Sequence, residues 1–445
     1  MTNIVAGTPT SRQVERDARL VSADEHHVSP SEIALGVVIG RTSEAFDFFV
    51  FGIACALVFP KVVFPFVSAV DGTLLAFAVF SLGFVFRPVG SVIFLQIDRR
   101  HGRGVKLTTA LFLLGISTAG IAFLPGYDDI GSWSVVLLVL LRIGQGVALG
   151  GAWDGLASLL ALNAPRNRRG LYAMVPQLGA PIGLMVAAGL FAFFMANLDI
   201  DDFLSWGWRY PFFVAFTINV VALFARLRLI ATEEFAELLN TRDLLPVPIR
   251  TLVRTQWRDI LIGAFVPLAS YALFHLVTIF PLSFVQLFTD RTPESFLELE
   301  CLGAVSLTIG VVVSGLLADF IGRRTLLGSS AAGIAGFSFA IPFLLNGGLQ
   351  GHLVFILVGF GLLGVSFGQA AGAVAANFSK ANRYTGSALT SDLAWLLGAG
   401  FAPLAALGGY TLFGLWAVVV YLLSGAACTL GALAFNRGLA MRTDM

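Results

Sequence analysis

Three charged residues stand at successive i, i+3 positions inside one long apolar stretch near the start of the chain. Arg41, Glu44 and Asp47 are preceded by the apolar residues 33–39 and followed by the apolar residues 48–60. On a helix this spacing makes Glu44 a neighbour of both Arg41 and Asp47. Such a group can pair charges, bind a charged ligand, or take up and release a proton. The structural alternative is a helix end whose charged side chains reach the membrane surface.

The composition indicates the medium in which these charges lie. The 445 residues are 57% hydrophobic and 12% charged, and the mean hydropathy is +0.85, values typical of a polytopic membrane protein. A charge at the bilayer centre costs about 2.5–3.5 kcal/mol on insertion scales, so intramembrane charges usually face a bundle interior or a wet cavity and mark a substrate or ion path. The formal net charge of +1 gives no indication of nucleic-acid binding.

Apolar segments long enough to cross a hydrocarbon core of ~30 Å predict an all-α membrane protein with twelve transmembrane helices in two six-helix halves. The predicted spans are 33–59, 72–97, 107–125, 133–163, 171–196 and 208–231, then 259–289, 297–318, 325–346, 351–377, 385–408 and 409–435. The predicted domains are an amino-terminal tail (1–31), a first half (32–231), a polar linker (232–258), a second half (259–436) and a carboxy-terminal tail (437–445).

Lysine and arginine residues of the short loops predict the orientation. They fall in alternate connections, as Arg99, Arg100, Arg103 and Lys106, then Arg166, Arg168 and Arg169, then Arg323 and Arg324, then Lys380 and Arg383. We therefore expect these loops, the linker and both termini to be cytoplasmic.

The connection after the eighth span repeats a feature of the connection after the second. The candidate gating residues are Asp98 and Arg103 in the first connection, and Gly315, Asp319, Gly322, Arg323 and Arg324 in the second. We interpret Gly315 as a point of close helix approach. We expect the acids to lie at helix ends and the arginines to bind carboxylates or helix carboxy termini of the facing half when the cytoplasmic side is closed. The alternative is that the positive charges only anchor these loops at the membrane surface, which would explain the arginines but not the glycines or the acids. Two such halves around a midplane cavity are typical of a rocking transporter.

The stretch from Gly315 to Arg324 resembles the G-x-x-x-D-R-x-G-R-R loop of the major facilitator superfamily. Further stretches resemble motifs of its metabolite:proton symporter family: Glu44-Ala-Phe-Asp47-Phe48 (E-W-Y-D-F), Arg87-Pro88-Val-Gly90 (R-P-L-G), and Arg142-Ile-Gly-Gln145-Gly146 with Gly150–Gly151 (R-x-x-Q-G…G-G-E). The resemblance implies secondary transport in a lipid bilayer without covalent chemistry, cofactor or metal, by a protein that acts as a monomer.

Three positions depart from the family pattern. Arg99 occupies the aspartate position of the first loop motif, and the acid stands one place earlier at Asp98. Ala152 replaces the family glutamate after the double glycine, while Asp154 points to another face because two residues span about 200° of a helix. Arg41 replaces a small polar residue, and an added cation in a cavity wall favours an anionic ligand.

Arg41 and Arg142 are the predicted anion-binding pair, with Gln145 and His275 as further candidate substrate contacts. For Arg142, a structural tie to Glu44 or Asp47 is an equal alternative to a bidentate bond with a substrate carboxylate. For His275, the alternative is a satisfied core histidine.

Glu44 and Asp47 are the predicted proton-coupling residues. One cation cannot balance two acids, so we expect the pair to share a proton and titrate as a unit. Substrate bound near Arg41 would compete for that cation and so link substrate loading to proton loading. Asp392 and Asp154 are the rival positions.

The function predicted from these observations is proton-coupled symport of a small organic anion across a bacterial inner membrane. The sequence holds no phosphate-binding loop for an ATP-driven pump, and no metal or nucleophile motif for an intramembrane enzyme. A zwitterionic osmolyte or a neutral metabolite is the alternative cargo, and a membrane sensor that does not transport is the alternative function.

Overall fold

The computed structural model describes residues 30–152, 160, 164–165, 168–230, 246–376, 378 and 382–435. Within these ranges the chain is helical and contains no strand. Six long helices form the first half: α1 (Pro30–Leu57), α2 (Ala69–His101), α3 (Arg103–Ala122), α4 (Ser132–Gly151), α5 (Arg169–Asn197) and α6 (Ile200–Leu227). Six form the second: α7 (Leu268–Phe288), α8 (Pro293–Ile321), α9 (Arg323–Leu345), α10 (Gly348–Ala376), α11 (Arg383–Phe413) and α12 (Trp416–Phe435).

Eleven of these helices are long and apolar enough to cross a membrane, counted over the described ranges. The twelfth is α1, whose 28 residues span about 42 Å at 1.5 Å per residue. Any 18-residue window of α1 contains Arg41, Glu44 and Asp47, so charge and not length sets it apart. The predicted all-α fold with twelve spans in two halves is confirmed.

Two predicted boundaries differ from the structure. The break expected between residues 408 and 409 lies inside α11, which continues to Phe413 before a turn at Gly414. Gly409 is required for packing there, since a Cβ on it would stand 2.6 Å from Ala417 of α12. A helix over Ile249–Phe265 begins inside the predicted linker and leads into α7. Asp154, nearly all of the amino-terminal tail, the carboxy-terminal tail and most of the linker lie outside the described residues.

Glycines bring the same helix pair together in each half. A Cβ on Gly90 of α2 would stand 2.0 Å from the carbonyl oxygen of Val147 in α4, and one on Gly150 would stand 2.2 Å from that of Arg87. In the second half, a Cβ on Gly364 of α10 would stand 2.4 Å from the carbonyl oxygen of Leu307 in α8. Only glycine fits at such helix contacts. The contact of α2 with α4 fixes the backbone that carries the cavity arginine Arg87.

One end of the bundle carries both loop motifs, and we call it the motif end. Here α2 passes into α3 at Gly102 with φ +87°, and α8 passes into α9 at Gly322 with φ +83°. Positive φ favours glycine at both turns. The amide of Gly102 bonds the carbonyl of Asp98, whereas the amide of Gly322 bonds that of Ala318. The repeat therefore aligns Asp98 with Ala318, and the first-half acid stands one residue earlier, as the sequence indicates.

Candidate functional site

A cavity lies between the two halves, with about 780 Å³ of empty space including its open part. Helices α1, α2, α4 and α5 line one side, and α7, α10 and α11 line the other. Its charged lining residues are Arg41, Glu44 and Arg87. Aromatic side chains from the second half, among them Tyr271 and Trp395, face them. A concave site lined mainly by apolar and aromatic side chains, with a few charged groups, is typical of small-molecule sites.

Glu44 is held between two guanidinium groups. Arg41 Nη1 donates to Glu44 Oε2 at 2.7 Å, as the i, i+3 spacing predicts, and Arg226 Nη2 donates to Glu44 Oε1 at 2.7 Å. Gly40 makes room for Arg226, because a Cβ there would stand 2.1 Å from the guanidinium. Arg226 was not predicted from the sequence. It follows Asn219 by seven residues on apolar α6, and this two-turn spacing could have indicated a shared polar face.

Asp47 lies deeper in the first half and contacts neutral groups. It accepts hydrogen bonds from the Thr118 hydroxyl of α3, from Gln145 Nε2 of α4 at 3.2 Å and from Asn219 Nδ2 of α6 at 3.5 Å. Its exposed fraction is 1%. Within the described part of the chain, Asp47 makes no ion pair and no hydrogen bond to Glu44. The two acids thus have separate environments, one paired with cations and one with amides and a hydroxyl.

Arg142 is fully buried and does not line the cavity in this conformation. Its Nη1 donates to Gln145 Oε1 at 2.9 Å, and its Nε and Nη2 donate to the carbonyl oxygen of Phe80 at 3.3 and 3.2 Å. The guanidinium carbon lies 4.0 Å from the ring centroid of Phe51. Of the two predicted anion-binding arginines, the cavity therefore presents Arg41, which is 24% exposed. Arg142 is linked to Asp47 through Gln145.

An ion pair in the cavity wall joins the two halves. Arg87 Nε of α2 lies 2.7 Å from Asp392 Oδ1 of α11, and Ser91 donates a hydrogen bond to the second carboxylate oxygen. Arg87 faces the cavity, while Asp392 is buried behind it. Any ligand that binds Arg87 therefore competes with an acid of the opposite half.

His275 lies in a group of rings between the halves, which we call the aromatic plug: Phe48, Phe80, Phe84, Phe274, His275 and Trp395. Its imidazole stacks on Phe48 with centroids 4.8 Å apart and contacts Phe80 edge-on at 5.2 Å. Within the described part of the chain, neither ring nitrogen has a hydrogen-bond partner. By chain direction, the plug lies on the side of the cavity away from the motif end. His275 does not line the cavity in this conformation, so its predicted role as a substrate contact stays a prediction.

The first-half loop acid reaches the second half at the motif end. Tyr384 of α11 donates to Asp98 Oδ2 at 2.9 Å, and Lys106 of α3 donates to the Tyr384 hydroxyl at 2.7 Å. Lys106 Nζ also lies 3.2 Å from Asp98 Oδ2, and the Arg103 guanidinium lies 5.0 Å from the Tyr384 ring centroid. All three members of the Asp98–Lys106–Tyr384 group are buried.

The second-half loop acid reaches the first half. Asp319 accepts the backbone N–H groups of Gly170 at 2.5 Å and Leu171 at 3.1 Å, at the start of α5. Gly315 permits this approach, since a Cβ on it would stand 2.8 Å from the Met174 side chain. The expected arginine contacts differ. Their bonds go to Gln369, to the Gly372 carbonyl and to the Leu433 carbonyl, all within the second half, because the acid rather than the arginines crosses between halves.

We expect Asp98→Asn and Asp319→Asn each to open the motif end, with the larger effect from Asp319→Asn, which removes the charge that two backbone N–H groups bind. Loss of a charge-assisted hydrogen bond, about 1.5–3 kcal/mol, corresponds to a population shift of about ten- to hundredfold. The measurement is the labelling rate of a cysteine at the cavity residue Ala371, in a background without native cysteines. Asp71→Asn, an exposed acid at the opposite end, is the control. Unchanged labelling in both loop variants would contradict a latch role.

Comparisons with known proteins agree with this architecture. A family model described as Major Facilitator Superfamily matches residues 39–403. The inner membrane metabolite transport protein YhjE of Escherichia coli (strain K12) is 36% identical over 414 residues, covering 91% of this chain and 93% of that protein. The shikimate transporter of the same organism is 33% identical over 444 residues, covering 94% and 97%. A crystal structure of a D-xylose-proton symporter superposes with a TM-score of 0.71 at 17% identity, covering 92% of this chain and 98% of that one, and shows likeness of fold.

Proposed function

The chain belongs to the Major Facilitator Superfamily, and we propose that it carries a small organic monocarboxylate together with protons by alternating access. It is a multi-pass membrane protein and a secondary transporter, not an enzyme.

The cationic side chains in the cavity lining carry the proposal of an anionic cargo. Arg41 and Arg87 line the cavity with 24% and 15% of their side chains exposed, whereas the carboxylate of Asp392 is buried behind Arg87. A carboxylate on the cargo can bind these groups, because guanidinium groups bind carboxylates in bidentate geometry.

The uncharged lining supports an organic body on that anion. Phe274, Phe367 and Trp395 supply apolar ring surfaces, and Gln177 and Ser391 supply polar groups. The relative named a shikimate transporter supports the same class, because shikimate is a cyclic carboxylic acid.

The environment of Asp47 supports its role in proton coupling. Glu44 has two cationic partners that stabilise its anionic form, whereas the hydrogen bonds to Asp47 come from a hydroxyl and two amides. A buried acid that makes no direct ion pair is the better site for a reversible proton. We therefore assign the proton of the predicted Glu44–Asp47 pair to Asp47.

The chain connects Asp47 directly to the plug. The next residue, Phe48, lines the cavity and stacks on His275. Hydrogen bonds hold Asp47 to α3, α4 and α6, so a change of its protonation changes how α1 is held in the first half. A movement of α1 then shifts Phe48 against α7. This linkage makes proton loading and closure of the plug interdependent.

The lysine and arginine bias of the loops supports a cytoplasmic motif end. The bond of Tyr384 to Asp98 and the bonds of the start of α5 to Asp319 join the halves at this end, and the plug lies on the other side of the cavity. We accordingly propose that the plug faces the outer side of the membrane.

Arg41→Gln should weaken carboxylate binding by about ten- to hundredfold, the usual loss for a charge-assisted contact. Arg142→Gln should weaken it as well, but with a lower melting temperature, because Arg142 holds the α2 carbonyl of Phe80. Isothermal titration and thermal shift with mono-, di- and tricarboxylates measure both effects. Lys61→Gln, outside the cavity, is the matched control. Wild-type affinity in both arginine variants would show that the cargo is not held here by its negative charge.

A zwitterionic osmolyte is the second candidate cargo, because the stacked rings of Tyr271 and Trp395, 4.5 Å apart, line the cavity and aromatic faces attract quaternary ammonium groups. Glycine betaine and tert-butylacetate (the anion 3,3-dimethylbutanoate) have the same shape, and only betaine carries the quaternary ammonium charge. Tighter binding of tert-butylacetate supports the monocarboxylate, and tighter binding of betaine supports the osmolyte.

A further inference from the structure

Helix α8 carries a buried acid that the coupling scheme does not use. Glu300 lies in the second turn of α8, on the face it shares with Phe296, Gly303 and Leu307. Its exposed fraction is 0%, and among the described residues neither carboxylate oxygen has a hydrogen-bond partner. A fully buried ionised carboxylate without a donor or a cation is strongly disfavoured, so this environment favours the neutral, protonated acid.

The groups around Glu300 offer no counter-charge. Helix α10 packs on this face, with Ile356 2.9 Å from the position of a Cβ on Gly303. The titratable and charged residues of the surrounding segments are His352 of α10, Glu294, Glu298 and Cys301 of α8, and Arg291 before it. The described stretches of α5, α7 and α9 at this level carry none. No ion pair to Glu300 forms among the residues described.

His352 lies one helical turn nearer the end of the bundle opposite the motif end. Its ring centroid is 5.7 Å from that of Phe296, the residue four positions before Glu300. Its Nε2 bonds the carbonyl oxygen of Leu345 at 2.9 Å and therefore carries the hydrogen, while Nδ1 has no partner in the structure. Among the residues described, His352 makes no ion pair with Glu300.

A cleft between the halves opens close to this acid at the opposite end. It is lined by Leu57 of α1, Met195 of α5, Gln286 of α7 and Glu294 of α8. Glu300 follows Glu294 by six residues, a rise of about 9 Å along the helix. The next residue, Cys301, contacts the Met185 carbonyl of α5 across the seam between the halves. Parting of the halves at this end would therefore bring water toward Glu300.

We propose that Glu300 is a proton-binding site that controls closure of the end opposite the motif end. The carboxylate is ionised and hydrated while this end is open, and it binds one proton from the water of the cleft before the seam of α5, α8 and α10 closes over it. The proton returns to the same water when the end reopens. This site goes beyond coupling at Asp47, and it rests only on movement of the two halves.

The test uses the proton as the ligand and N-ethylmaleimide as the probe. Leu57→Cys, in a background without native cysteines, places a buried thiol in the cleft, and Asp129→Cys on an exposed loop corrects for the thiol's own ionisation. Because ionised Glu300 favours the open form, corrected labelling of the Leu57→Cys protein should rise with pH, by about tenfold per unit for one proton. Glu300→Gln mimics the neutral acid and should make labelling slow and independent of pH.

Infrared difference spectra provide a second measurement that does not depend on labelling. The wild-type protein should show a carboxylic acid C=O band at neutral pH that is absent from Glu300→Gln, or displaced in Glu300→Asp if the glutamine variant does not fold. Glu298→Gln, which neutralises an exposed acid of the same helix, is the matched control and should keep the labelling profile. Three results would overturn the proposal: labelling of the Leu57→Cys protein that does not change with pH, the same pH dependence after Glu300→Gln is added, or no carboxylic acid band in the wild-type protein.

Discussion

The Asp47→Asn protein should lose uphill accumulation of substrate completely and keep counterflow, which needs no net proton movement. Asparagine preserves the size of the side chain; its amide oxygen can accept from Gln145 and its amide nitrogen can donate to the Thr118 hydroxyl, but it cannot bind a proton reversibly. The defect should therefore be in coupling and not in folding. Proteoliposome uptake under an imposed pH gradient, followed by counterflow without a gradient, measures the two activities on one preparation.

Glu44→Gln is the matched variant one turn away. We expect it to reduce accumulation less than Asp47→Asn does, because the coupling proton is assigned to Asp47, and to lower the melting temperature, because Arg41 and Arg226 lose the carboxylate between them. Breaking a buried pair costs about 3–5 kcal/mol. If both variants still accumulate cargo while Asp154→Asn or Asp392→Asn does not, the coupling site lies elsewhere.

Arg87→Gln should inactivate transport by leaving Asp392 buried without its cation, at a cost of about 3–5 kcal/mol. Asp392→Asn alone should leave Arg87 facing the cavity and be milder. The double variant should recover much of the stability but not the affinity, because the cavity still lacks the Arg87 charge. Such a cycle isolates the pair energy, expected at roughly 0.5–3 kcal/mol for residues in contact.

For the four proteins of this cycle, the melting temperature in detergent measures stability, and titration with a carboxylate measures affinity. Additive losses of stability would mean that Arg87 and Asp392 act independently. The same result would also argue against competition between a bound carboxylate and Asp392 for Arg87.

Local spacing predicted the contacts made within one helix or one loop. The bond of Arg41 to Glu44 follows from an i, i+3 step, and the close approach at Gly315 follows from a glycine in a known loop pattern. The displaced acid Asp98 was also visible, and the turns at Gly102 and Gly322 show the same offset in the backbone. These features depend on geometry that one short segment determines.

Contacts between distant segments could not be predicted in the same way. Arg226 bonds Glu44 across 182 residues, and Tyr384 bonds Asp98 across 286. A helical pattern gives the face on which Arg226 lies, but not the helix that the face meets. Arg142 illustrates a second limit, because its position on α4 was compatible with the cavity. The long side chain instead reaches the Phe80 carbonyl.

The most direct test of the account is uptake of a labelled monocarboxylate into proteoliposomes under an inward proton gradient, with sodium absent. We predict accumulation above the outside concentration, collapse by a protonophore, and no accumulation with Asp47→Asn. Uptake that stops at the outside concentration in the wild-type protein, or that a sodium gradient drives instead, would contradict proton-coupled transport of an organic anion.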